Sequence, residues 1–210
     1  MPKRKQKIHK KDDWATFALG YIHLAQLACE ELIEKKYENE EYVAESIYLP
    51  AIYNLKHGIE ILLKSFSIEF LKKESIDSSD FSHDIDEIFS RLKREVPERR
   101  LRVAIEKWEK ENTDQKGKLT GSAIYEELER IVKKYHHLEF LKNKIGADYV
   151  ISDFDNTALK YPSNSLSMQI DYGELTKRFD KIDFERTLHD CLKLETIFWK
   201  LFLLLYAERR

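Results

Sequence analysis

Apolar residues recur at three- and four-residue spacing along most of the chain, a pattern typical of α-helices that bury one face. Short polar segments separate these stretches, and Pro97 marks one of the boundaries. Helices are predicted over about residues 12–36, 46–73, 82–92, 101–108, 122–144 and 172–206. The pattern therefore predicts an all-α bundle of about five to seven helices, one of them a long C-terminal helix.

Local signals refine the helix boundaries. Ser82 or Asp80 is the predicted N-cap of the third helix, and Gly146 is predicted to end the fifth. Pro50 fits the first turn of the second helix, or kinks that helix if it starts earlier. Because only 6 Gly and 4 Pro occur in 210 residues, a turn-rich β-sandwich or barrel is excluded.

The length suits a single domain, predicted over residues 12–210 with a variable helical insertion at about 97–145. Residues 1–11 are basic, which predicts either a disordered tail or an electrostatic arm on nucleic acid. The formal net charge is −2, so any contact with nucleic acid must use a local patch rather than a global basic field.

Cysteine usage and hydropathy indicate a cytoplasmic protein. Cys29 and Cys191 lie far apart without metal-binding spacing, which predicts two buried thiols in a reducing compartment. The most apolar stretch, residues 197–206, is shorter than the roughly 20 residues that span a bilayer. We therefore expect no membrane partner, metal or cofactor.

Residues 149–157, YVISDFDNT, are similar to the first motif of haloacid-dehalogenase phosphatases, which supplies an Asp nucleophile and an Asp acid/base. That motif belongs at the end of the first strand of a doubly wound sheet. Here only about fifty residues follow, and most are predicted to form one helix. Asp153 and Asp155 are instead predicted to cap helix ends or to face water.

The second predicted helix carries a polar stripe opposite its apolar one. The polar stripe consists of Asn54, His57, Glu60 and Lys64. One interpretation is a solvated surface on which Glu60 and Lys64 pair by about 0.2–0.5 kcal/mol. The other interpretation, a ligand site, depends on the following resemblance.

Three segments, taken in order, resemble the HEPN superfamily of helical domains. Residues 48–64, YLPAIYNLKHGIEILLK, resemble its (R/K)HxxExxxK helix, and residues 82–89, SHDIDEIF, resemble its HD(I/L) helix start. Residues 156–163, NTALKYPS, resemble the (R/K)YP loop before its final helix. The resemblance covers roughly residues 46–92 and 155–206, and the middle of the chain matches poorly.

The resemblance implies a helical bundle, usually dimeric, of bacterial toxin–antitoxin, antiviral defence or RNA-processing systems. Many members are metal-independent ribonucleases in which an Arg steadies the phosphate and a His four to six residues later is the general acid/base. Arg130 and His136, or His137 at one longer spacing, match this pattern as catalytic candidates. Ile131 replaces the expected polar residue, and the segment lies earlier in the chain than the family motif.

The resemblance also implies a phosphate- or nucleotide-binding site. In this hypothesis, His83 and the Lys160–Tyr161 pair fold back beside the second helix. The complete set of candidate ligand-binding residues is Lys56, His57, Glu60, Lys64, His83, Lys160 and Tyr161.

Three functions stay open from the sequence. The first is an RNA- or nucleotide-directed protein of a defence or toxin–antitoxin system that acts as a metal-independent ribonuclease. The second is a non-catalytic module that binds nucleotide, RNA or a protein partner such as an antitoxin or a defence component. The third is a helical adaptor whose exposed Phe198, Trp199 and Phe202 pair two protomers into a homodimer.

Overall fold

The computed structural model describes residues 6–7, 11–35, 41–71, 75–76, 82–111, 121–139 and 179–209. Its six helices in these ranges are α1 (Lys11–Glu34), α2 (Glu41–Leu71), α3 (Ile85–Glu95), α4 (Glu98–Glu111), α5 (Gly121–His136) and α6 (Lys181–Arg209). The other regular structure in the described ranges is a two-residue antiparallel pairing of β1 (Gln6–Lys7) with β2 (Ser75–Ile76). The all-α prediction is therefore confirmed, and β1 falls within the segment predicted as a disordered tail.

One hydrophobic core joins the six helices, and α2 lies at its centre. This helix packs against α1, α3 and α6, and residues 62–68 are all buried. Helices α4 and α5, which fall within the predicted insertion, contribute Leu101 and Leu128 to the same core. Because most of the surface of α2 is covered from residue 51 onward, several of its polar side chains are taken out of water, and this decides how the site forms.

Two helix starts differ from their predicted positions. Helix α2 begins at Glu41, so Pro50 lies inside the helix rather than in its first turn. Helix α6 begins at Lys181 instead of about residue 172, because Asp180 accepts hydrogen bonds from the backbone N–H groups of Ile182 and Asp183. Residues 172–178 lie outside the described residues.

Helix α3 is capped by Asp84, not by Ser82, and Asp80 lies outside the described residues. The Asp84 carboxylate accepts the backbone N–H groups of Asp86 and Glu87 at 2.9 and 3.1 Å. The predicted boundary at Pro97 is confirmed, since α3 ends at Glu95 and α4 begins at Glu98.

Helix α5 ends at His136, before the predicted end near Gly146. The cause is Leu138, whose φ of 45° lies in the left-handed region that terminates helices. The early end leaves His136 and His137 at the C-terminus of α5. Among the helices in the described part of the chain, none combines the length and the apolar character needed to cross a bilayer.

Gly58 allows α1 to approach α2 closely, because a Cβ there would lie 3.0 Å from Ile22 Cγ1 and 3.2 Å from the Ala18 carbonyl oxygen. We expect Gly58→Ala to lower the free energy of unfolding by about 1 kcal/mol, since overpacking outweighs the gain in helix propensity. Gly20→Ala on α1 is the matched control. A Cβ there meets no heavy atom within 4 Å, so this change should raise stability by up to about 1 kcal/mol. Urea unfolding measures both, and effects of the same sign would contradict the close approach.

Candidate functional site

The polar residues of α2 are buried. Lys56 is 0% exposed, Glu60 2% and Lys64 7%, whereas Asn54 and His57 are half-buried. The predicted solvation of the stripe is therefore wrong for Glu60 and Lys64, although their predicted pairing is present. The physical reason is that α3 and the residues before it pack against this side of α2. Burying charges costs several kcal/mol per ion unless each is well paired, so the pairing of these groups is a central feature of the site.

Glu60 is the centre of this pairing. Its Oε1 accepts a hydrogen bond from Lys64 Nζ at 2.7 Å and lies 3.0 Å from His83 Nδ1, while Oε2 lies 3.5 Å from His57 Nδ1. Burial on its own raises the pKa of Glu60. Hydrogen bonds from His57 and Lys64, with the charges of Lys64 and His83, outweigh burial and lower that pKa to about 2. Glu60 is therefore ionised at neutral pH, and its carboxylate contacts two imidazoles and a lysine.

Asp84 forms the second carboxylate of the site. Its Oδ1, which caps α3, also lies 3.3 Å from Nδ1 of His136 at the end of α5. The His136 ring contacts that of His137 edge-on, with 4.6 Å between ring centroids. The HD pair at residues 83–84 thus connects α2 to α5, with His83 beside Glu60 and Asp84 beside His136.

These groups form a single cluster where α2, the start of α3 and the end of α5 meet. We call it the imidazole cluster, and its members are Lys56, His57, Glu60, Lys64, His83, Asp84, His136 and His137. The most accessible members are His83 and His57, whose side chains are 58% and 28% exposed, while Asp84 and His137 are half-buried. Substrate could reach His83 and His57, whereas Glu60, Lys56 and Lys64 are buried behind them.

His136 should make stability depend on pH. Burial lowers the pKa of its imidazole below the usual 6.5, and the charges of His137 and Lys56 add to this, against Asp84 and Asp86. Because the folded pKa is depressed, the stabilising contribution is complete above about pH 6.5 and is lost as pH falls toward the folded pKa. We expect His136→Gln to lose less stability than the wild type between pH 8 and 5.5, as measured by urea unfolding. His189→Gln, at an exposed position on α6, is the control, and a wild-type-like profile for His136→Gln would contradict the assignment.

The structure does not bring Arg130 and His136 together within one chain. Arg130 faces α6, where its Nη2 lies 2.5 Å from Asp190 Oδ1 and 2.9 Å from Glu127 Oε1. The hydrogen bond to Glu127, followed by that to Asp190, raises the pKa of the guanidinium above its usual range. Arg130 is therefore held in an ion-pair network, whereas His136 belongs to the imidazole cluster on a different side of α5.

Asp190 is a buried polar centre that sequence reasoning missed. It is 1% exposed and accepts hydrogen bonds from Arg130, from Lys134 at 2.5 Å and from the Tyr135 hydroxyl at 3.0 Å. The sequence pattern did indicate its burial, because Asp190 lies on the same helical face as the buried residues Leu194 and Thr187. Asp84 was also missed as a site residue, although it lies inside the HD motif.

Other candidate residues lie outside the described residues or on α6. Lys160 and Tyr161 lie outside the described residues, as do Asp153 and Asp155. On α6, Phe198 was predicted to be exposed but is 4% exposed, because it faces the core on the same side as Leu194 and Leu201. Trp199 and Phe202 do face outward, at 47% and 39% exposed.

Comparisons with known proteins leave the family open. No family model matches this chain, and neither a curated protein nor a solved structure matches it. The described residues also contain no group of three or more His, Cys, Asp or Glu side chains arranged to hold a metal ion. The HEPN resemblance therefore stays a prediction that rests on the three motifs, and the function must be argued from the imidazole cluster.

Proposed function

We propose that this protein is an HEPN-like cytoplasmic protein of a bacterial defence or toxin–antitoxin system that cleaves RNA without a metal ion. The observation that carries the proposal is the pair of accessible imidazoles, His57 and His83, held by the two oxygens of one buried carboxylate. Buried Lys56 and Lys64 add positive charge behind them. Such a gathering of charges has a high desolvation cost, and costly polar clusters concentrate at functional sites.

The geometry suits general acid–base catalysis on a phosphodiester. Because Nδ1 of each ring faces Glu60, the proposal assigns Nε2 of His57 and of His83 to the substrate. One neutral imidazole takes the proton of the RNA 2′-OH as its oxygen attacks phosphorus, and the other, protonated, gives a proton to the departing 5′ oxygen. Lys64, buried behind the imidazoles, offsets the charge of Glu60 rather than contacting the phosphate.

His136 and Arg130 have different parts in this proposal. His136 is 3% exposed, so its part is to pack beside Asp84 rather than to contact RNA directly. The Arg130 side chain is 45% exposed, and its Nη2 already bonds Glu127 and Asp190, so a phosphate would share the guanidinium with these two carboxylates. The sequence-derived assignment of Arg130 and His136 as the catalytic pair remains a competing version of the same function, in which a second protomer completes the site.

The test is cleavage of a labelled RNA in EDTA by purified variants. We expect His57→Ala and His83→Ala each to lower the rate by about 10²–10⁴-fold, the usual contribution of a general acid or base. His189→Ala is the control and should leave the rate unchanged, since this exposed residue lies on α6 away from the cluster. Loss of cleavage in Arg130→Ala and in His136→Ala, with cleavage retained in His57→Ala and His83→Ala, would favour the competing catalytic pair. Full activity in both His57→Ala and His83→Ala would overturn the proposed acid–base pair.

The same samples separate cleavage from binding. Wild-type protein that leaves RNA intact but binds it with an affinity that falls steeply with salt would favour the non-catalytic module. In that outcome the imidazole cluster is a phosphate site without chemistry.

The proposal includes a homodimer. Trp199 and Phe202 are exposed on α6, their rings 6.1 Å apart, and exposed aromatic pairs are common at protein interfaces. Light scattering on the cleavage samples reports the oligomeric state. A strict monomer that still cleaves RNA would exclude a site shared between protomers and would leave the single-chain His57–His83 pair.

A further inference from the structure

The imidazole of His57 contacts two tyrosine rings that come from different helices. Tyr53, one turn earlier on α2, stacks parallel to it, with 6.1 Å between ring centroids and 4° between ring planes. Tyr21 of α1 meets the same imidazole edge-on, at 4.7 Å and 80°. Both separations lie in the range of favourable aromatic contacts. His57 is therefore held by two rings as well as by Glu60, whose Oε2 lies 3.5 Å from its Nδ1.

Gly58, the residue after His57, allows Tyr21 to come this close. A Cβ at position 58 would lie 3.2 Å from Tyr21 Cβ and 3.0 Å from Ile22 Cγ1, which is tighter than ordinary contacts between side chains. Glycine is among the least favourable residues inside a helix, and here it lets the backbones of α1 and α2 approach each other. The contact between Tyr21 and the imidazole therefore depends on the close packing of these two helices.

The two imidazoles that share Glu60 differ in how firmly they are held. His83 Nδ1 lies 3.0 Å from Glu60 Oε1, and the His83 side chain is 58% exposed, against 28% for His57. A contact at one nitrogen fixes one atom of a ring, whereas contacts from two neighbouring rings also fix its plane. The plane matters for a general acid or base, because it sets the direction in which Nε2 points.

We propose that Tyr21 and Tyr53 are positioning residues for His57, whose ring they hold so that Nδ1 stays beside Glu60 while Nε2 faces the substrate. This inference rests on the proposed function and makes α1 part of the site. Proton transfer needs the two heavy atoms within about 2.6–3.2 Å of each other, so a ring that rotates lowers the rate even when substrate is bound. Because the rings make these contacts, phenylalanine should replace either tyrosine and leucine should not.

The kinetic test compares leucine with phenylalanine at both positions. Tyr21→Leu and Tyr53→Leu should each lower kcat for RNA cleavage by about 10–100-fold, the scale of loss for a misplaced catalytic group. KM should stay unchanged, because the substrate contacts the imidazole rather than the tyrosines. Tyr21→Phe and Tyr53→Phe should retain the wild-type kcat. Phe17→Leu is the control, since it removes a 63% exposed aromatic ring one turn earlier on α1, and it should also cleave at the wild-type rate.

Nuclear magnetic resonance relaxation of the histidine ring carbons measures the positioning without substrate. The His57 ring should be as rigid as the helix backbone in the wild type and in both phenylalanine variants. In the leucine variants it should become mobile on the picosecond-to-nanosecond timescale. The His83 ring serves as the internal control and should keep its wild-type relaxation in all four variants. Urea unfolding establishes that each variant is folded under the assay conditions.

The two measurements separate this inference from the proposed function. Leucine variants that keep the wild-type kcat and a rigid His57 ring would overturn the inference while RNA cleavage stands. Phenylalanine variants that lose as much kcat as the leucine variants, or leucine variants that raise KM with kcat unchanged, would also overturn it. A His57 ring that becomes mobile only in the leucine variants, in a protein that leaves RNA intact, would support the positioning by Tyr21 and Tyr53 and overturn the proposed cleavage.

Discussion

Replacing Glu60 by alanine is expected to lower the free energy of unfolding by about 3–5 kcal/mol, the usual cost of breaking a buried ion pair from one side. Glu60 is 2% exposed, and its removal leaves the ammonium group of Lys64, 7% exposed, without its carboxylate. Lys56 is fully buried one turn from Glu60 on the same helix, and it adds a second positive charge to that of Lys64. Urea unfolding followed by circular dichroism measures the loss.

Glu129 provides a matched control for this substitution. It also accepts hydrogen bonds from two lysines, Lys93 at 2.8 Å and Lys133 at 2.6 Å, and these also lower its pKa to about 2. Its pairs lie at the surface, where solvent and salt screen them, so Glu129→Ala should cost less than about 1 kcal/mol. Similar losses for the two variants would mean that burial does not set the strength of the Glu60 network.

The pH dependence of stability gives an independent measure of Glu60. Its folded pKa is about 2 against 4.5 for the free side chain, so its contribution is complete above pH 4.5 and is lost as pH falls toward 2. That shift corresponds to about 3 kcal/mol, which is similar to the loss expected for Glu60→Ala. The difference in stability between wild type and Glu60→Gln should therefore shrink between pH 4.5 and 2.

Asp190→Ala is the second substitution with a large expected effect, about 3 kcal/mol or more. Asp190 is 1% exposed, and its loss removes one hydrogen-bond partner of the fully buried Tyr135 hydroxyl and a counter-charge of Lys134. Arg130→Ala should cost only about 1 kcal/mol, because the Arg130 side chain is 45% exposed and Asp190 keeps its other two donors.

The comparison of Asp190→Ala with Arg130→Ala also bears on catalysis. If Arg130 has only a structural role, Arg130→Ala should be more stable than Asp190→Ala. Arg130→Ala should also retain RNA cleavage at temperatures well below its melting point. Unfolding in urea and cleavage at low temperature, measured on the same preparations, give both quantities. An Arg130→Ala variant as unstable as Asp190→Ala would contradict the picture of Asp190 as the centre of the network.

Local chemistry made the helices predictable. Apolar periodicity located all six described helices, and Pro97 fixed the α3–α4 boundary because proline acts on its immediate neighbours. The end of α5 was not predicted correctly, because the residue in the left-handed conformation that ends it is Leu138 rather than a glycine. Asp84 was passed over as the α3 cap because several capping residues precede that helix, and the sequence does not rank them.

The site was less accessible to sequence reasoning because it depends on contacts between distant elements. The polar residues of α2 were identified, but whether they meet water or α3 is decided by packing, and His83 and Glu60 are 23 residues apart. Arg130 resembled a free catalytic cation because its partner Asp190 lies 60 residues away on α6. Charge patterns along one helix predict neighbours three or four residues apart, and neither contact falls within that range.

The central claim is that the imidazole cluster receives the phosphate of a nucleotide or RNA. The most direct test is nuclear magnetic resonance of the histidine ring carbons during titration with a 2′-O-methyl dinucleotide, which binds like RNA but lacks the attacking hydroxyl. The resonances of His57 and His83 should shift with saturation, while those of His23 and His189, on α1 and α6, stay in place. Unmoved resonances of His57 and His83, or equal shifts at His23 and His189, would contradict the account.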